Sequence, residues 1–451
     1  MAFATSSGQK VVVRYNAFMN QPLNRRCFLA GVSLGALALG GVAPQVLSQG
    51  AGGGANRKLN LGVIGVANRG GENLRAVAQE NVVALCDVDK NNLQAAAQRF
   101  PQAKTFEDFR ELLEVKDLDA VVISTPDHCH AVIAVAALEK GLPIYCEKPL
   151  ARTVSEVRRI TELARQKRKV TQLGTQIHAS RNYRRVVELV QSGAIGAVRE
   201  VHVWVQVVYG GVKMPTEFPP VPPTLNYDLW LGPVEYRPYS PEWVPFKWRN
   251  WWAFGGGTLA DFGCHYMDLP HWALELSHPR SVEVVDGPPL DAESVPPWLI
   301  VRYEHPARGN KPPVTLYWYQ GQGRRPERLT AEQYRQWRSG VLFVGEEGEI
   351  LANYTNHELL PEAKFANFTR PKPFIKDSIG HHAEWLEAVR NGGTTTCHFD
   401  YSGPLSETAL LGNVAYRTGK KLEWNWRELR AVNAPEAQKY IQHRYRAGWK
   451  I

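Results

Sequence analysis

The chain has 451 residues, of which 44% are hydrophobic and 22% are charged. This length suits two or three domains, and the composition excludes a wholly disordered, collagen-like or multi-span membrane protein. Its 53 basic and 44 acidic residues give a net charge of +9 without a long basic block, so the sequence does not support nucleic-acid binding.

The first 48 residues have the pattern of an export signal. Arg25 and Arg26 directly precede an apolar, uncharged run at 28–43. This pattern predicts a twin-arginine signal peptide over 1–48, a flexible glycine-rich linker over 49–57, and a periplasmic or otherwise exported protein. An uncleaved membrane anchor is the alternative, although a span needs about 20 apolar residues. The twin-arginine translocation machinery carries folded proteins, so we expect a tightly bound cofactor that is loaded before export.

Export would place the remaining five cysteines in an oxidising compartment. No Cys-x-x-Cys pair is present, and three of the five lie at or near the ends of predicted strands. We therefore expect buried thiols rather than disulfides at Cys86, Cys129, Cys146, Cys264 and Cys397.

Strands and helices alternate after the linker. Strands are predicted at 59–64, 81–85, 104–105, 120–124, 143–146 and 170–173, and helices at 72–79, 91–100, 106–113 and 131–140. The strands are continuously apolar, which is typical of a parallel sheet covered on both faces. The fold class is therefore α/β, with a doubly wound Rossmann domain over 58–178.

A glycine-rich turn follows the first strand and opens a helix. The turn runs Gly65-Val66-Ala67-Asn68-Arg69-Gly70, and 22 residues separate Gly65 from Asp87, against about 20 for a ribose-binding acid. Backbone N–H groups here would approach a pyrophosphate, although Ala67 replaces the second glycine of the usual pattern. Asp87 would bind a ribose 2′-hydroxyl and favour NAD, whereas Arg69 keeps NADP possible. A doubly wound fold without a nucleotide is the alternative.

Five further segments resemble the Gfo/Idh/MocA oxidoreductases, the family of glucose–fructose oxidoreductase and inositol dehydrogenase. They are Thr125-Pro126-Asp127-His128-Cys129-His130, Glu147-Lys148-Pro149, Gly174-Thr175-Gln176, the predicted helix 183–192 with Gly193-Ala194-Ile195-Gly196, and the segment at 255–265 that contains Asp261 and His265. The resemblance extends over about 58–397.

The resemblance implies a C-terminal α/β domain over 179–451, with a large, mostly antiparallel sheet and an active site between the domains. It places Lys148 at the nicotinamide and makes Asp261 and His265 the proton-handling pair. It also implies a bound NAD or NADP and a homo-oligomer. The cofactor contacts would include Thr125, Pro126, His128, His130, Glu147 and Gln176, and the substrate contacts His178, Asn182 and Tyr183.

The catalytic residues also make chemical sense by themselves. Histidine accepts a hydroxyl proton near neutral pH, and Asp261 and His265 lie four residues apart, so on a helix the carboxylate could orient the imidazole. Glu147 would anchor Lys148 or the cofactor edge, or form a structural salt bridge. A metal site built from Asp261, His265 and Asp268 is a weaker alternative; we expect no metal.

Five tryptophans lie between residues 227 and 254, and no helical or strand period holds there. Aromatic faces stack on sugar rings, so Trp251 and Trp252 are candidate substrate contacts. The alternative is that the rings pack the segment itself or a subunit interface. Short strands are expected further on, at 299–303, 314–319 and 340–344, with a hairpin turn at 345–348.

These observations favour an exported NAD(P)-dependent oxidoreductase that acts on a carbohydrate, polyol or glycoside hydroxyl. One alternative is an NAD-dependent glycoside hydrolase or lyase that oxidises the sugar transiently, eliminates the aglycone and regenerates the cofactor. A second alternative is a non-catalytic sugar-binding protein, against which the intact Lys148, Asp261 and His265 argue.

Overall fold

The computed structural model describes residues 57–451. The predicted signal peptide, its possible use as an anchor, and nearly all of the linker lie outside the described residues. Within 57–451, no helix is both long and apolar enough to cross a membrane.

The N-terminal domain is built on a parallel six-stranded sheet with the order β3-β2-β1-β4-β5-β6. This arrangement confirms the Rossmann prediction. Its elements are β1 (Asn60–Ile64), α1 (Arg69–Ala76), β2 (Asn81–Cys86), α2 (Lys90–Arg99), β3 (Lys104–Phe106), α3 (Phe109–Leu112), β4 (Ala120–Ile123), α4 (Asp127–Glu139), β5 (Ile144–Cys146), α5 (Val154–Lys167) and β6 (Thr171–Leu173).

Two helices begin earlier than the sequence pattern indicates. Helix α1 begins three residues before the predicted start and includes Gly70 and Gly71, whose low helix propensity hid the first turn. Helix α4 begins four residues early, at Asp127, with Pro126 as its N-cap. The early start places His128 and His130 on a helix rather than on a turn.

The C-terminal part contains a nine-stranded sheet with the order β13-β12-β11-β7-β10-β9-β8-β14-β15. Its strands are β7 (Val198–Val205), β8 (Ser281–Asp286), β9 (Leu299–His305), β10 (Val314–Gln320), β11 (Ser339–Gly345), β12 (Glu349–Ala352), β13 (His357–Leu360), β14 (Leu422–Asn425) and β15 (Arg430–Ala431). Strands β7 and β10 pair in parallel and the other neighbours pair antiparallel, as expected. The predicted turn after β11 is closed by the Gly345 N–H, which donates to the Gly348 carbonyl over 2.9 Å.

Helices cover this sheet and connect it to the first domain. They are α6 (Arg181–Gln191), α7 (Tyr227–Leu231), α8 (Gly257–Tyr266), α9 (Asp268–Leu274), α10 (Ala331–Gln336), α11 (Glu362–Phe365), α12 (His381–Asn391), α13 (Phe399–Thr418) and α14 (Gln438–Ile441). Helix α13 packs against both α5 and α8, so it connects the two domains behind the site described below.

Helix α12 packs against the N-terminal domain although it lies more than 200 residues further along the chain. Trp385 is fully buried among apolar side chains of the parallel sheet, with its ring centroid 5.8 Å from that of Tyr145. A ring nitrogen of His381 lies 2.8 Å from the Leu173 carbonyl at the end of β6. The core of the nucleotide domain is therefore completed by a late segment of the chain.

The five cysteines of the described residues are free and buried, which confirms the expectation of thiols.

Candidate functional site

The candidate cofactor residues lie at the carboxyl ends of the parallel strands. The glycine-rich turn follows β1, Asp87 follows β2, the Thr125-Pro126 turn follows β4, and Lys148 follows β5. Ligands of open α/β sheets bind at this edge, where the strand order reverses between β1 and β4. The strand order therefore brings together residues that are 83 positions apart in sequence.

Two glycines of the turn permit the close backbone approach that a dinucleotide needs. Gly65 has φ +81°, and a Cβ atom there would lie 2.7 Å from the Ser124 carbonyl oxygen. A Cβ on Gly70 would lie 2.0 Å from the Gly65 oxygen. Asn68, and not Ala67, takes the positive φ of 49° within the turn. Any side chain at Gly65 or Gly70 would open this turn.

Asp87 binds the glycine-rich turn to the end of β2. Its carboxylate accepts from the backbone N–H groups of Val66 and Asp89, each at 3.0 Å. Burial raises the pKa of Asp87. An acid at this point, beside a turn with glycines at both ends, fits a nucleotide ribose.

The motif after β4 contributes two buried polar atoms without a partner among residues 57–451, Thr125 Oγ1 and His128 Nδ1. A buried hydroxyl without a partner at the carboxyl end of β4 fits a turn that would bind a cofactor. His128 Nε2 lies 2.8 Å from the Trp230 carbonyl, and the two ring nitrogens of His130 lie 2.8 Å from the carbonyls of Pro149 and Thr125. Both histidines are buried, so the geometry suits them to hold loops in place rather than to touch the cofactor.

Glu147 does not pair with Lys148, contrary to one expectation. Its Oε1 accepts from Asn73 Nδ2 at 2.9 Å and from Gln176 Nε2 at 2.7 Å. Gln176 also donates to the Tyr145 hydroxyl over 2.7 Å. Burial raises the pKa of Glu147. The residue thus connects α1, β5 and the turn after β6 beneath the site.

Lys148 and Asp261 connect the two domains. Lys148 Nζ donates to Asp261 Oδ1 over 2.6 Å and to the Asp261 carbonyl over 2.7 Å. Lys148 lies on the loop after β5, whereas Asp261 lies on α8 of the second domain. The two side chains are only 10% and 7% exposed, so the pair is shielded from solvent.

Sequence reasoning missed two charged residues beside this pair. Arg249 Nε donates to Asp261 Oδ1 over 3.2 Å, while its guanidinium carbon lies 4.0 Å from the Trp248 ring centroid. Lys148 and Arg249 hold the pKa of Asp261 well below its usual range despite burial. Asp127, in the first turn of α4, is 3% exposed and has its pKa raised by burial. A single arginine among tryptophans, twelve residues before Asp261, is the signal that could have found Arg249.

His265 lies one helical turn beyond Asp261 but the carboxylate does not orient it by a hydrogen bond. The Nδ1 atom is buried without a partner among the described residues, and the residue is 9% exposed. Burial and the Lys148 charge hold the pKa of His265 well below its usual range. The imidazole is therefore neutral and able to accept a proton. The Asp261 carboxylate accepts hydrogen bonds from Lys148 and Arg249, and not from His265 as the sequence pattern indicated.

Asp268 belongs to a separate buried cluster. The structure therefore does not support a metal site built from Asp261, His265 and Asp268. Its carboxylate lies 2.9 Å from His178 Nδ1 and accepts from the Tyr401 hydroxyl over 2.6 Å. The His178 ring stacks on Trp272 with a centroid distance of 4.0 Å. Potential ligand atoms of His178, Asp268 and Cys397 lie within 4.8 Å of one another, but all three residues are buried and Asp268 already accepts hydrogen bonds. His178 is fully buried, so it is not placed to contact substrate.

The other two residues of the predicted substrate region support neighbouring elements. Asn182 Nδ2 donates to the carbonyls of Asn353 and Asn356 over 2.8 and 3.0 Å. Tyr183 is fully buried and donates to the His265 carbonyl over 3.2 Å, which fixes the end of α8. Through these hydrogen bonds both side chains hold the backbone around the site in place.

The tryptophan-rich segment forms its own small core. Trp243 and Trp251 are each 1% exposed and pack edge to face with centroids 5.9 Å apart. The indole N–H of Trp251 donates to the Glu242 carbonyl, and that of Trp252 to the Asp291 carbonyl. This burial favours packing over a sugar platform for both Trp251 and Trp252.

Comparison with known proteins agrees with this geometry. The family model "Oxidoreductase family, NAD-binding Rossmann fold" matches residues 59–175, and "Oxidoreductase family, C-terminal alpha/beta domain" matches residues 181–311. The inositol 2-dehydrogenase of Salmonella typhimurium is 34% identical over 151 residues, which cover 32% of this chain and 45% of that protein. The match thus spans about half the length of that curated relative.

Solved structures share the fold. GenD2 from gentamicin A biosynthesis, in complex with NAD, superposes with a TM-score of 0.58 at 19% identity and covers 85% of this chain and 100% of that one. Levoglucosan dehydrogenase in complex with NADH and levoglucosan gives a TM-score of 0.53 at 20% identity, with 81% and 99% covered. The two matched family models together span more than half of the chain, so with its Rossmann cofactor edge it belongs to the Gfo/Idh/MocA family of NAD-binding oxidoreductases.

Proposed function

We propose that this protein transfers hydride between a bound nicotinamide cofactor and a hydroxyl-bearing carbon of a sugar, polyol or glycoside. The carrying observation is the shielded pair of Lys148 and Asp261, which joins the nucleotide domain to α8 over 2.6 Å. NAD is the cofactor and NADP the alternative, since Arg69 lies in the turn. When bound, the cofactor supplies the hydride chemistry.

The residues of this chain then handle the substrate oxygen and its proton. Lys148, held by Asp261, donates a hydrogen bond to the carbinol oxygen, and this bond strengthens as negative charge develops there. Neutral His265 accepts the hydroxyl proton in the oxidising direction and returns it in the reducing direction. Arg249 retains the negative charge on Asp261 and so fixes the lysine.

The substrate class rests on two kinds of support. The curated relative is named as an inositol dehydrogenase, and one structural neighbour holds levoglucosan. Inositol and levoglucosan are both small ring compounds with several hydroxyl groups.

The test measures cofactor and turnover separately. Purified protein would be denatured and analysed for released nucleotide, then incubated with NAD and a panel of myo-inositol, levoglucosan and glucose while absorbance at the NADH band is followed. We expect Lys148→Met to lose turnover by at least about 100-fold, the usual loss when a donor to developing negative charge is removed. Lys140→Met, which removes a surface lysine paired with Glu114, is the matched control.

Two results would contradict the proposal. Unchanged turnover in Lys148→Met would remove the site assignment. Release of aglycone from aryl glycosides without added cofactor, and without net NADH, would instead indicate the hydrolase or lyase reaction.

We also propose export by the twin-arginine route and assembly into a homo-oligomer. Changing Arg25 and Arg26 together to lysine should retain the protein in the cytoplasm of a bacterial host, as measured by cell fractionation. An unchanged periplasmic fraction would contradict the export proposal.

Light scattering of the purified protein measures its molar mass in solution. A monomeric mass would contradict the proposed homo-oligomer.

A further inference from the structure

A pocket lies against the N-terminal end of α8. Its volume is about 210 Å³, and its lining includes Arg152, Gly256 and Arg417, but none of Lys148, Asp261 and His265. A water molecule occupies about 30 Å³, so the pocket can hold more than a single water molecule or ion. The pocket is therefore large enough for a small metabolite and distinct from the reacting groups.

Arg152 is buried in the pocket wall with donors that have no acceptor. The residue is 9% exposed, and Nη1 donates to the Ala253 carbonyl. Its Nε and Nη2 are buried and lack a partner among residues 57–451. The nearby Glu156 carboxylate already accepts from the Thr153 N–H over 2.9 Å and from the Tyr445 hydroxyl over 2.6 Å. Unsatisfied guanidinium donors in a buried site are costly unless a ligand engages them.

Arg417 lies between two aromatic rings on the same pocket. Its guanidinium carbon lies 4.9 Å from the Trp252 centroid and 4.2 Å from the Tyr440 centroid. No described residue offers its N–H groups a hydrogen-bond acceptor. Burial, with the like charge of Arg152, lowers the pKa of Arg417 to about 10, so the side chain is still cationic at neutral pH. Stacking thus fixes this guanidinium and leaves its edge available.

The acidic residues do not neutralise the pocket. Glu293 is paired with Arg237 over 2.7 Å, which leaves Glu235 as the remaining acid of the lining. Lys439 adds a third cation beside Arg152 and Arg417. Burial lowers the pKa of His443 to about 3, so this imidazole is neutral and contributes no charge. The balance of charge favours an anion.

We propose that this pocket binds the oxyanion group, phosphate or carboxylate, of a small metabolite. Guanidinium groups match such planar or tetrahedral oxygen arrays with paired, charge-assisted hydrogen bonds. The bound anion would tie the loop after Lys148, through Arg152, to the segment Gly255-Gly256 that directly precedes α8. It would therefore brace the two elements that carry Lys148 and Asp261.

The test uses the full purified chain and inorganic phosphate as the probe. Calorimetric titration at constant ionic strength, with chloride as the balancing salt, should show saturable phosphate binding. We expect Arg417→Gln to weaken it at least about tenfold, the loss typical of a charge-assisted hydrogen bond. Arg199→Gln removes the same charge from a surface residue paired with Glu346 and should bind as the wild type does.

Further ligands identify the bound anion, and further variants control for misfolding. Glucose 6-phosphate and glucuronate separate a phosphate from a carboxylate source, and any binding of neutral glucose, which is also a candidate substrate, should not change in Arg417→Gln. Arg152→Met is the second variant; if its circular dichroism shows misfolding, Arg417→Gln alone carries the test, and Arg417→Lys should restore part of the affinity. Absence of saturable binding of every oxyanion to the wild type, or equal weakening in Arg199→Gln, would overturn the proposal.

Discussion

At the scale of single residues, the site is governed by two cations that share one buried carboxylate. Lys148 and Arg249 both donate to Asp261 Oδ1, at 2.6 and 3.2 Å. Because the carboxylate compensates both charges, its removal affects more than one contact. The ionised state of Asp261 is therefore a structural requirement apart from the catalytic role proposed for it.

Replacing this carboxylate should affect stability and turnover together. Asp261→Asn leaves two largely shielded cations without the carboxylate that they share, and breaking a buried pair costs up to about 3–5 kcal/mol. Urea unfolding would measure the stability, and NADH production the turnover. Asp228→Asn, at an exposed carboxylate paired with Arg446, is the control and should change neither. Wild-type stability in Asp261→Asn would contradict the assigned electrostatics.

The sequence indicated Lys148, Asp261 and His265 because each lies in a short motif that resembles the family, and their catalytic roles stay a prediction. It did not predict Arg249, because the approach of that side chain depends on how the surrounding aromatic rings pack. The expectation that the Asp261 carboxylate accepts a hydrogen bond from His265 was wrong for a related reason. Spacing along a helix shows which side chains share a face, but competing donors from other elements decide which of them interact.

At the scale of elements, the turn between β1 and α1 depends on glycines. The sequence predicted that turn correctly, since strand, glycines and acid occur in one local window. The tryptophan-rich segment was not decidable, because aromatic residues suit both a sugar cleft and a core. Only its packing, with Trp243 and Trp251 buried, separated the two interpretations.

Adding one methyl group to the turn should disturb cofactor binding. In Gly70→Ala, the new Cβ would lie 2.0 Å from the Gly65 oxygen, so the turn must open. We expect at least a tenfold (about 1.4 kcal/mol) loss of NAD affinity in fluorescence titration. In the neighbouring Gly71→Ala, the nearest contact is 3.2 Å, and the effect should be clearly smaller. Equal affinities in the two variants would refute this account of the turn.

Removing a tryptophan from the aromatic core should lower stability rather than substrate affinity. Trp243→Ala removes a side chain that is 1% exposed, and such truncations cost about 3–5 kcal/mol. Thermal unfolding would measure the loss, and the KM of variants that remain folded would test for a substrate role. Tyr236→Ala, at a ring that is 73% exposed in the same segment, should leave stability nearly unchanged. A raised KM with normal stability would restore the sugar-cleft interpretation.

At the scale of the whole molecule, buried neutral histidines make the fold sensitive to acid. Burial lowers the pKa of His128, His271 and His381 to about 3 and that of His305 well below its usual range. The unfolded chain binds protons at these groups from about pH 6.5 downward, whereas the folded chain does not. Each group therefore favours unfolding as the pH falls through that window.

We expect the free energy of unfolding to decrease between pH 6.5 and 4.5. Each such histidine contributes up to about 1.4 kcal/mol per pH unit there. The raised pKa values of Asp87, Asp127 and Glu147 act in the opposite direction, but the histidines outnumber them. Urea midpoints across this range provide the measurement. A midpoint independent of pH, or one that rises on acidification, would show that these imidazoles are not neutral in the folded protein.

The return of α12 to the parallel sheet has a consequence for synthesis. A nascent chain released up to β6 holds every strand of the nucleotide domain, yet the place of Trp385 in its core is still empty. The ribosome must add more than 200 further residues before that gap closes. The core of the nucleotide domain would therefore remain incompletely packed until α12 is synthesised near the end of translation.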